Sequence, residues 1–309
     1  MLLTLKRINL LQNLLQMNTE QELKDIVKNR YAKIAEQDKT ANASSCCGAT
    51  TPTNKVYNIM MDDYSSTEGY VADADLGLGC GLPTQFAKIK QKDTVIDLGS
   101  GAGNDCFVAR HETGAEGKVI GIDFTPIMIQ KARVNAEKLG YNNVEFREGD
   151  IDAMPVNDDV ADVVVSNCVL NLVPNKEKVI AEIVRVLKPG GHFSISDIVL
   201  VGDLPKALKN DAEMYAGCVA GAIQKSEYLQ LIADQGFQNI QIQKEKPISI
   251  PDDILSKYLS AEEVKTFNKG ATGIFSITVY AEKQGASLVK PKVKLSDVAN
   301  SCEPSNGCC

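Results

Sequence analysis

Residues 95–105 read VIDLGSGAGND: an apolar run that ends at Asp97, a glycine-rich turn, and then residues that open a helix. Glycines in such a turn let the backbone pass close to a ligand, and a helix N-terminus presents N–H groups with no partner inside the helix. Gly-x-Gly-x-Gly alone is weak evidence, because dinucleotide folds use similar turns. The flanking sequence supplies the context. Strand patterns occur at TVIDLGS (94–100), KVIGIDF (118–124), NVEFREG (143–149), ADVVVSN (161–167) and GHFSISDIV (191–199), separated by helical patterns at about 104–111, 126–139 and 176–187. Strands that are apolar throughout and alternate with helices predict a parallel sheet buried on both faces. Gly140 and Pro189-Gly190-Gly191 mark two helix ends.

After Asp197 the rhythm changes. A helical stretch near 205–220 carries Cys218, a second helix runs SEYLQLIADQG to a cap at Gly236, and strands are expected in IQIQKEKPISI and IFSITVYAEK. The last strand follows other strand material rather than a crossover helix, which predicts an antiparallel entry into the sheet. Upstream, MNTEQELKDIVKNRYAKIAEQ reads as a helix from Met17, followed by a polar loop with Cys46 and Cys47. LGLGCGLP then places Cys80 before a short helix at about 84–88. The first 16 residues are basic, Leu-rich and free of acids, which fits either an organelle-targeting segment or a misassigned upstream start.

The 309 residues suffice for one large domain or two smaller ones with a real core. Hydrophobic residues at 44% and charged residues at 24% are ordinary for a globular protein. A net charge of −7 argues against a nucleic-acid-binding surface. No apolar run approaches the roughly 20 residues needed to span a bilayer. A soluble, cytoplasmic monomer is expected, with neither nucleic acid nor membrane as partner. Nine cysteines without a secretory signal predict reduced thiols rather than a disulfide framework.

Three strand ends converge on one candidate cofactor site. Asp97 and the turn residues Gly99, Ser100, Gly101 and Gly103 follow the first strand. Asp123, with Phe124, ends the second and can accept both ribose hydroxyls of a nucleoside. Asp150, after the third, is placed to meet an adenine amino group, with Ile151 against the ring; Asn167, ending the fourth, completes the set. The competing reading is that Asp123 and Asp150 merely cap the following helices. The DxGxGxG spacing from Asp97 resembles the first motif of class I methyltransferases, and LKPGGHFSISD resembles their late helix–turn–strand element. That resemblance implies a Rossmann-like α/β fold, with a mostly parallel sheet, helices on both faces and a smaller α+β C-terminal region. It also implies S-adenosylmethionine as methyl donor.

The cysteines narrow the substrate. Cys168 ends the fourth strand, between Asn167 and Asn171, beside the expected donor. DLGSGAGNDC, SNCVLNLVPNK, RVLKPGG, GCGLP and AGCVAGA together resemble the arsenite methyltransferases over about residues 20–282. The resemblance implies Cys80, Cys168 and Cys218 as arsenic(III) ligands, and Cys46 or Cys47 as a redox partner of Cys80. Some relatives carry tyrosine just before Gly-Cys-Gly, where this chain has Leu78. The implied organisation is an N-terminal segment 1–16 of unknown role and a helix with Cys-bearing substrate loops over 17–85. A donor-binding core over 86–203, an arsenic-binding and capping region over 204–283, and a Cys-rich tail over 284–309 follow.

The implied chemistry is coherent. Trivalent arsenic is soft and prefers thiolates. Three of them leave its lone pair free to attack a sulfonium methyl in line, so catalysis is mostly positioning. Arsenic carries no proton that must leave, which suits a chain whose only histidines are His111 and His192. Partners are then arsenite or its thiol conjugates and a thiol reductant such as glutathione or thioredoxin, which restores oxidised product. Cys106, inside a helix, reads as packing, and Cys302, Cys308 and Cys309 either capture arsenic and hand it inward or belong to a dispensable thiol-rich tail. Two rivals remain: a carbon or oxygen methyltransferase of a small metabolite, which leaves the cysteines idle, and a thiol protein that sequesters soft metal, which leaves DxGxGxG idle.

Overall fold

The structure, a computed structural model, describes residues 20–36, 62–209, 221–269 and 273–285. The stretch quoted above forms β1 (Thr94–Leu98), its turn, and α3 (Asn104–Thr113); α1 (Glu20–Ala35) and the short α2 (Pro83–Phe86) precede it. The chain continues through β2 (Lys118–Asp123), α4 (Pro126–Leu139), β3 (Val144–Glu148), β4 (Ala161–Asn167), α5 (Lys176–Val186) and β5 (Leu187–Val201). It ends with α6 (Lys206–Lys209), α7 (Lys225–Asp234), β6 (Phe237–Ile248), α8 (Asp252–Leu255), α9 (Ala261–Lys269) and β7 (Gly273–Lys283). One seven-stranded sheet has the order β3-β2-β1-β4-β5-β7-β6. β1 to β5 are parallel, and β7 runs antiparallel between β5 and β6, as its place in the chain predicts.

Residue alternation explains why both faces are covered. Val95, Val119, Val163 and Val165 point to one side, against Phe107 of α3 and Met128, Ile129 and Ala132 of α4. Ile96, Leu98, Ile120, Ile122 and Val164 point to the other, against Val179, Ile180 and Ile183 of α5 and Ile232 of α7. Each such fully buried aliphatic side chain contributes about 1.5–3 kcal/mol. The helix α5 starts where Asn175 accepts the Lys178 N–H at 3.1 Å. It stops at Val186, and Lys188–Gly191 bulges out of the β4–β5 pairing, which jumps from Ala161↔Leu187 to Val163↔His192. A third apolar cluster lies beyond the strand ends and joins Val27 of α1, Cys80, Cys168 and residues of α6, α8, α9 and β7. Among the described residues, no helix is long and apolar enough to cross a membrane.

The sheet also buries an acid. Asp197 in β5 is fully enclosed, and burial pushes it up to about 7, against the N–H of Ile198 that bonds Oδ1 at 2.9 Å. A carboxyl raised in the folded state stabilises fully below the ordinary carboxylate range, and that stabilisation is lost as pH climbs through the folded value. Glu145, held down to about 2 by Arg147 and Lys118, acts only at lower pH. The ligand-free protein is therefore expected to lose stability between about pH 4 and 7. Asp197→Asn should flatten that fall in urea titrations; an identical pH slope in the variant would contradict the assignment.

Candidate active site

The carboxyl ends of β1, β2 and β4, with the loop after β3, border a crevice of about 1080 Å³ including its open mouth. Of the residues expected at the cofactor site, Asp97, Gly99, Ser100, Gly101, Asp123, Phe124, Asp150, Ile151 and Asn167 line it. Gly103 does not. It takes φ +99° as it enters α3, and a Cβ there would meet ring atoms of Phe107 and Phe146 at 2.9 Å, so this glycine serves packing. Gly99 and Ser100 spend their N–H groups on the Ile122 carbonyl, while Gly101 N–H donates to Asp123 Oδ2 at 3.0 Å. Asp123 Oδ1 accepts from Thr125 N–H at 2.8 Å. Asp123 thus braces the turn before α4, and each oxygen keeps a further lone pair for a ligand hydroxyl.

The wall is acidic. Asp75, Asp97, Asp105, Asp123 and Asp150 line it, and Lys24 of α1 is the one lysine or arginine among its lining residues. Lys24 sits 3.2 Å from Asp150 and 2.8 Å from Asp152, which ties α1 across the crevice mouth. Burial pushes Asp97 well up, with help from the neighbouring Asp105 charge and against the Cys106 thiol that donates at 3.2 Å. Burial also raises Asp123, and raises Asp105 to about 6 against hydrogen bonds from Tyr64 and Asn167. Such a site favours a cation. Tyr31, Tyr64, Asp75 and Asp105 belong to the wall although no motif assigned them a role, and Leu78 lines it at the position where some relatives carry tyrosine. Asp105 stood inside the opening stretch; Tyr64 carried no sequence signal.

At the end of β4 the backbone of Cys168 turns into the left-handed region, φ +62°, which non-glycine residues enter at a cost. Its N–H donates to the Ser196 carbonyl at 2.8 Å, and the residue lies on the crevice wall at 4% exposure. Cys80, fully buried behind that wall, is joined to it in a disulfide with Cα atoms 5.7 Å apart. The sequence predicts reduced thiols, and the structure corrects this for the pair. Two segments separated by 88 residues thus bring their sulfurs to one spot. Cys46, Cys47, Cys218, Cys302, Cys308 and Cys309 lie outside the described residues. Cys106 is buried within α3, as packing requires. Neither histidine lines the crevice: His111 faces Glu68 at 3.0 Å, and His192 Nε2 lies 2.6 Å from the Ala87 carbonyl.

Asn167 lines the crevice, yet its amide is occupied. Oδ1 accepts from the N–H groups of Cys80 (3.0 Å) and Gly81 (3.3 Å), and Nδ2 donates to the Gly81 carbonyl at 2.9 Å.

Comparisons with known proteins agree with this architecture. A methyltransferase-domain family model matches residues 89–236. An arsenite methyltransferase from Halobacterium salinarum is 41% identical over 232 residues, covering 72% of this chain and 59% of that one. One from Aquipseudomonas alcaligenes is 32% identical over 240 residues, covering 75% and 67%. The chain spans about three fifths of the length of most of these curated relatives, such as 58% of the Homo sapiens protein. The YcgJ protein of Bacillus subtilis, 21% identical with a TM-score of 0.51 over 66% of this chain and 97% of that one, shares the fold alone. The crystal structure of an arsenic(III) S-adenosylmethionine methyltransferase from Chlamydomonas reinhardtii superposes with a TM-score of 0.57 at 32% identity, covering 68% of each chain. Likeness to arsenite methyltransferases from an archaeon, a bacterium and an alga goes beyond a shared sheet, and the chain belongs to the arsenite methyltransferase family.

Proposed function

We propose that this protein transfers methyl groups from S-adenosylmethionine to trivalent arsenic held by cysteine thiolates. The observation that carries the reading is the meeting of Cys168, on the wall of an acid-lined crevice, with Cys80 directly behind it. A carbon or oxygen methyltransferase gives no reason for two sulfurs there. A thiol protein that only sequesters metal gives none for the crevice.

The crevice fits the donor on several counts. A sulfonium and an ammonium group are cations, and Asp97 and Asp105 are buried carboxylates with no lysine or arginine partner among the described residues. Asp123 has lone pairs left for ribose hydroxyls, Phe124 and Ile151 offer apolar faces for a base, and Ser100 Oγ and Asn104 Oδ1 on the wall are buried without a hydrogen-bond partner. Bound there, S-adenosylmethionine supplies an electrophilic methyl carbon.

The chain's own residues do the rest. The Cys80–Cys168 bond takes up two of the arsenic ligands, so it must first be opened by two electrons. A thiol reductant such as glutathione or thioredoxin supplies these: its thiolate attacks one sulfur and releases the other as a thiolate, and a second reductant thiol then attacks the resulting mixed disulfide, freeing the first cysteine and leaving the reductant as its own disulfide. Freed and ionised, Cys80 and Cys168 chelate arsenic, and Cys218 is the third ligand by family resemblance. Soft sulfur displaces the oxygen ligands of arsenite, and the arsenic keeps the electron pair that accepts the methyl group. No proton leaves arsenic, so no general base is required, consistent with the remote histidines. The redox role of Cys46 or Cys47 toward Cys80 rests on resemblance alone.

Labelled donor, arsenite and a thiol reductant, followed by separation of arsenic species, test the activity. Cys168→Ser is expected to abolish arsenic methylation while donor affinity stays within about threefold. Asp123→Ala should weaken donor binding by about 10–100-fold, the cost of losing charge-assisted hydrogen bonds, with arsenite binding intact. A Cys168→Ser protein that methylates at the normal rate defeats the reading. Because Asp105 titrates at about 6 before a cation arrives, donor affinity measured by calorimetry should rise between pH 5 and 7 by up to about tenfold per pH unit for one released proton. Asp105→Asn should remove that rise, and a flat wild-type profile would contradict it.

A further inference from the structure

We propose that Asn167 is a positioning residue: it fixes the Cys80 loop so that the Cys80 sulfur stands opposite Cys168. The proposal rests on the arsenic-ligand role given above to these two cysteines. The Asn167 amide is bonded at both ends. Its carbonyl accepts from Cys80 and Gly81 N–H, and its nitrogen donates to the Gly81 carbonyl and, at 3.1 Å, to Asp105 Oδ2. The nitrogen also reaches Tyr64 Oη, which in turn donates to Asp105 and lies 3.1 Å from the Gly81 carbonyl. Only a side chain carrying both an acceptor and donors does this; aspartate lacks the donors and leucine lacks both.

The loop is gripped from its other side too. Ser276 Oγ on β7 donates to the Cys80 carbonyl. Both backbone polar groups of Cys80 are thereby held by side chains from strands that are themselves paired in the sheet. The fit is close: a Cβ at Gly79 would stand 2.5 Å from Asn167 Nδ2, and one at Gly81 would stand 2.4 Å from Ser196 Oγ. The Gly-Cys-Gly spelling of the loop is what this approach requires. Cys168 follows Asn167 directly, so one strand end supplies a sulfur and the anchor for its partner.

Holding two sulfurs at a fixed separation raises the effective concentration of one at the other, which strengthens any species that bridges them. That species is the disulfide in oxidised protein and the arsenic chelate in reduced protein. Losing the anchor weakens both, and also removes one hydrogen bond from Asp105 in the crevice.

The test reads the thiol pair directly. Full-length wild type and Asn167→Ala are equilibrated in graded mixtures of reduced and oxidised glutathione, alkylated, and scored for the Cys80–Cys168 linkage by peptide mass spectrometry. The variant is expected to be about tenfold more easily reduced, as loss of effective concentration implies. Its arsenite affinity should fall similarly. An unchanged glutathione equilibrium overturns the proposal. A donor affinity that falls while the thiols behave normally overturns it too, and assigns Asn167 to the donor. If Asn167→Ala does not fold, Tyr64→Phe, which removes one support of the amide, decides: about a threefold shift supports the role and none overturns it. The glutathione readout needs neither arsenic nor donor. Failure of the arsenic reading, seen as normal arsenite methylation by Cys168→Ser, is therefore distinguishable from failure of the clamp.

Discussion

The backbone at Cys168 leaves β4 through the left-handed region, at φ +62°, and its sulfur meets that of Cys80 at the edge of the crevice. Most of the surrounding structure serves that meeting. The conformational cost at Cys168 is met by the sheet, because β4 lies between β1 and β5 and cannot shift without breaking both pairings. The Cys168 N–H is tied to Ser196 on β5, and the Cys80 carbonyl to Ser276 on β7. β7 therefore has a part beyond closing the sheet: its antiparallel insertion brings a hydroxyl to the loop that carries the second sulfur.

The crevice beside the sulfurs stores a complementary cost. Burying carboxylates without cationic partners raises their proton affinity and destabilises their charged forms. Asp97, Asp105 and Asp123 accept that penalty at strand and helix ends, where ligands of open α/β sheets bind. The proposed cationic donor would offset that penalty on binding. The lone lysine of the wall, Lys24, pairs with Asp150 and Asp152 at the mouth rather than with the acids at the floor.

Much of this was legible in the sequence, for identifiable reasons. Strands buried on both faces spell continuous apolar runs, so ADVVVSN coincides with β4. The crevice positions of Asp123 and Asp150 were legible because strand ends in such folds border the open end of the sheet. Gly103 was misplaced because spacing in a glycine-rich turn does not tell which glycine faces a ligand and which faces Phe107. Asn167 was legible as a strand end at the crevice, but its bonds to Cys80 and Gly81 were not, since nothing in the chain order says that residue 80 will dock on residue 167. The reduced state expected for Cys80 and Cys168 came from cysteine usage in whole proteins, which is blind to two sulfurs forced together by a fold. The helix α9 was missed although Ser260 and Glu263 form a capping box, with Ser260 N–H donating to Glu263 Oε2 at 2.8 Å. Tyr64 and Asp105 enter only through a hydrogen-bond network that needs three dimensions.

The central claim is that sulfur from separate parts of the chain gathers around one arsenic atom beside the donor crevice. X-ray absorption at the arsenic edge, on reduced full-length protein loaded with one equivalent of arsenite, measures this directly. The account predicts an all-sulfur shell that loses sulfur and gains oxygen when Cys80 and Cys168 are both replaced by serine. An oxygen-dominated shell in the native protein, or an unchanged spectrum in the double variant, would contradict it.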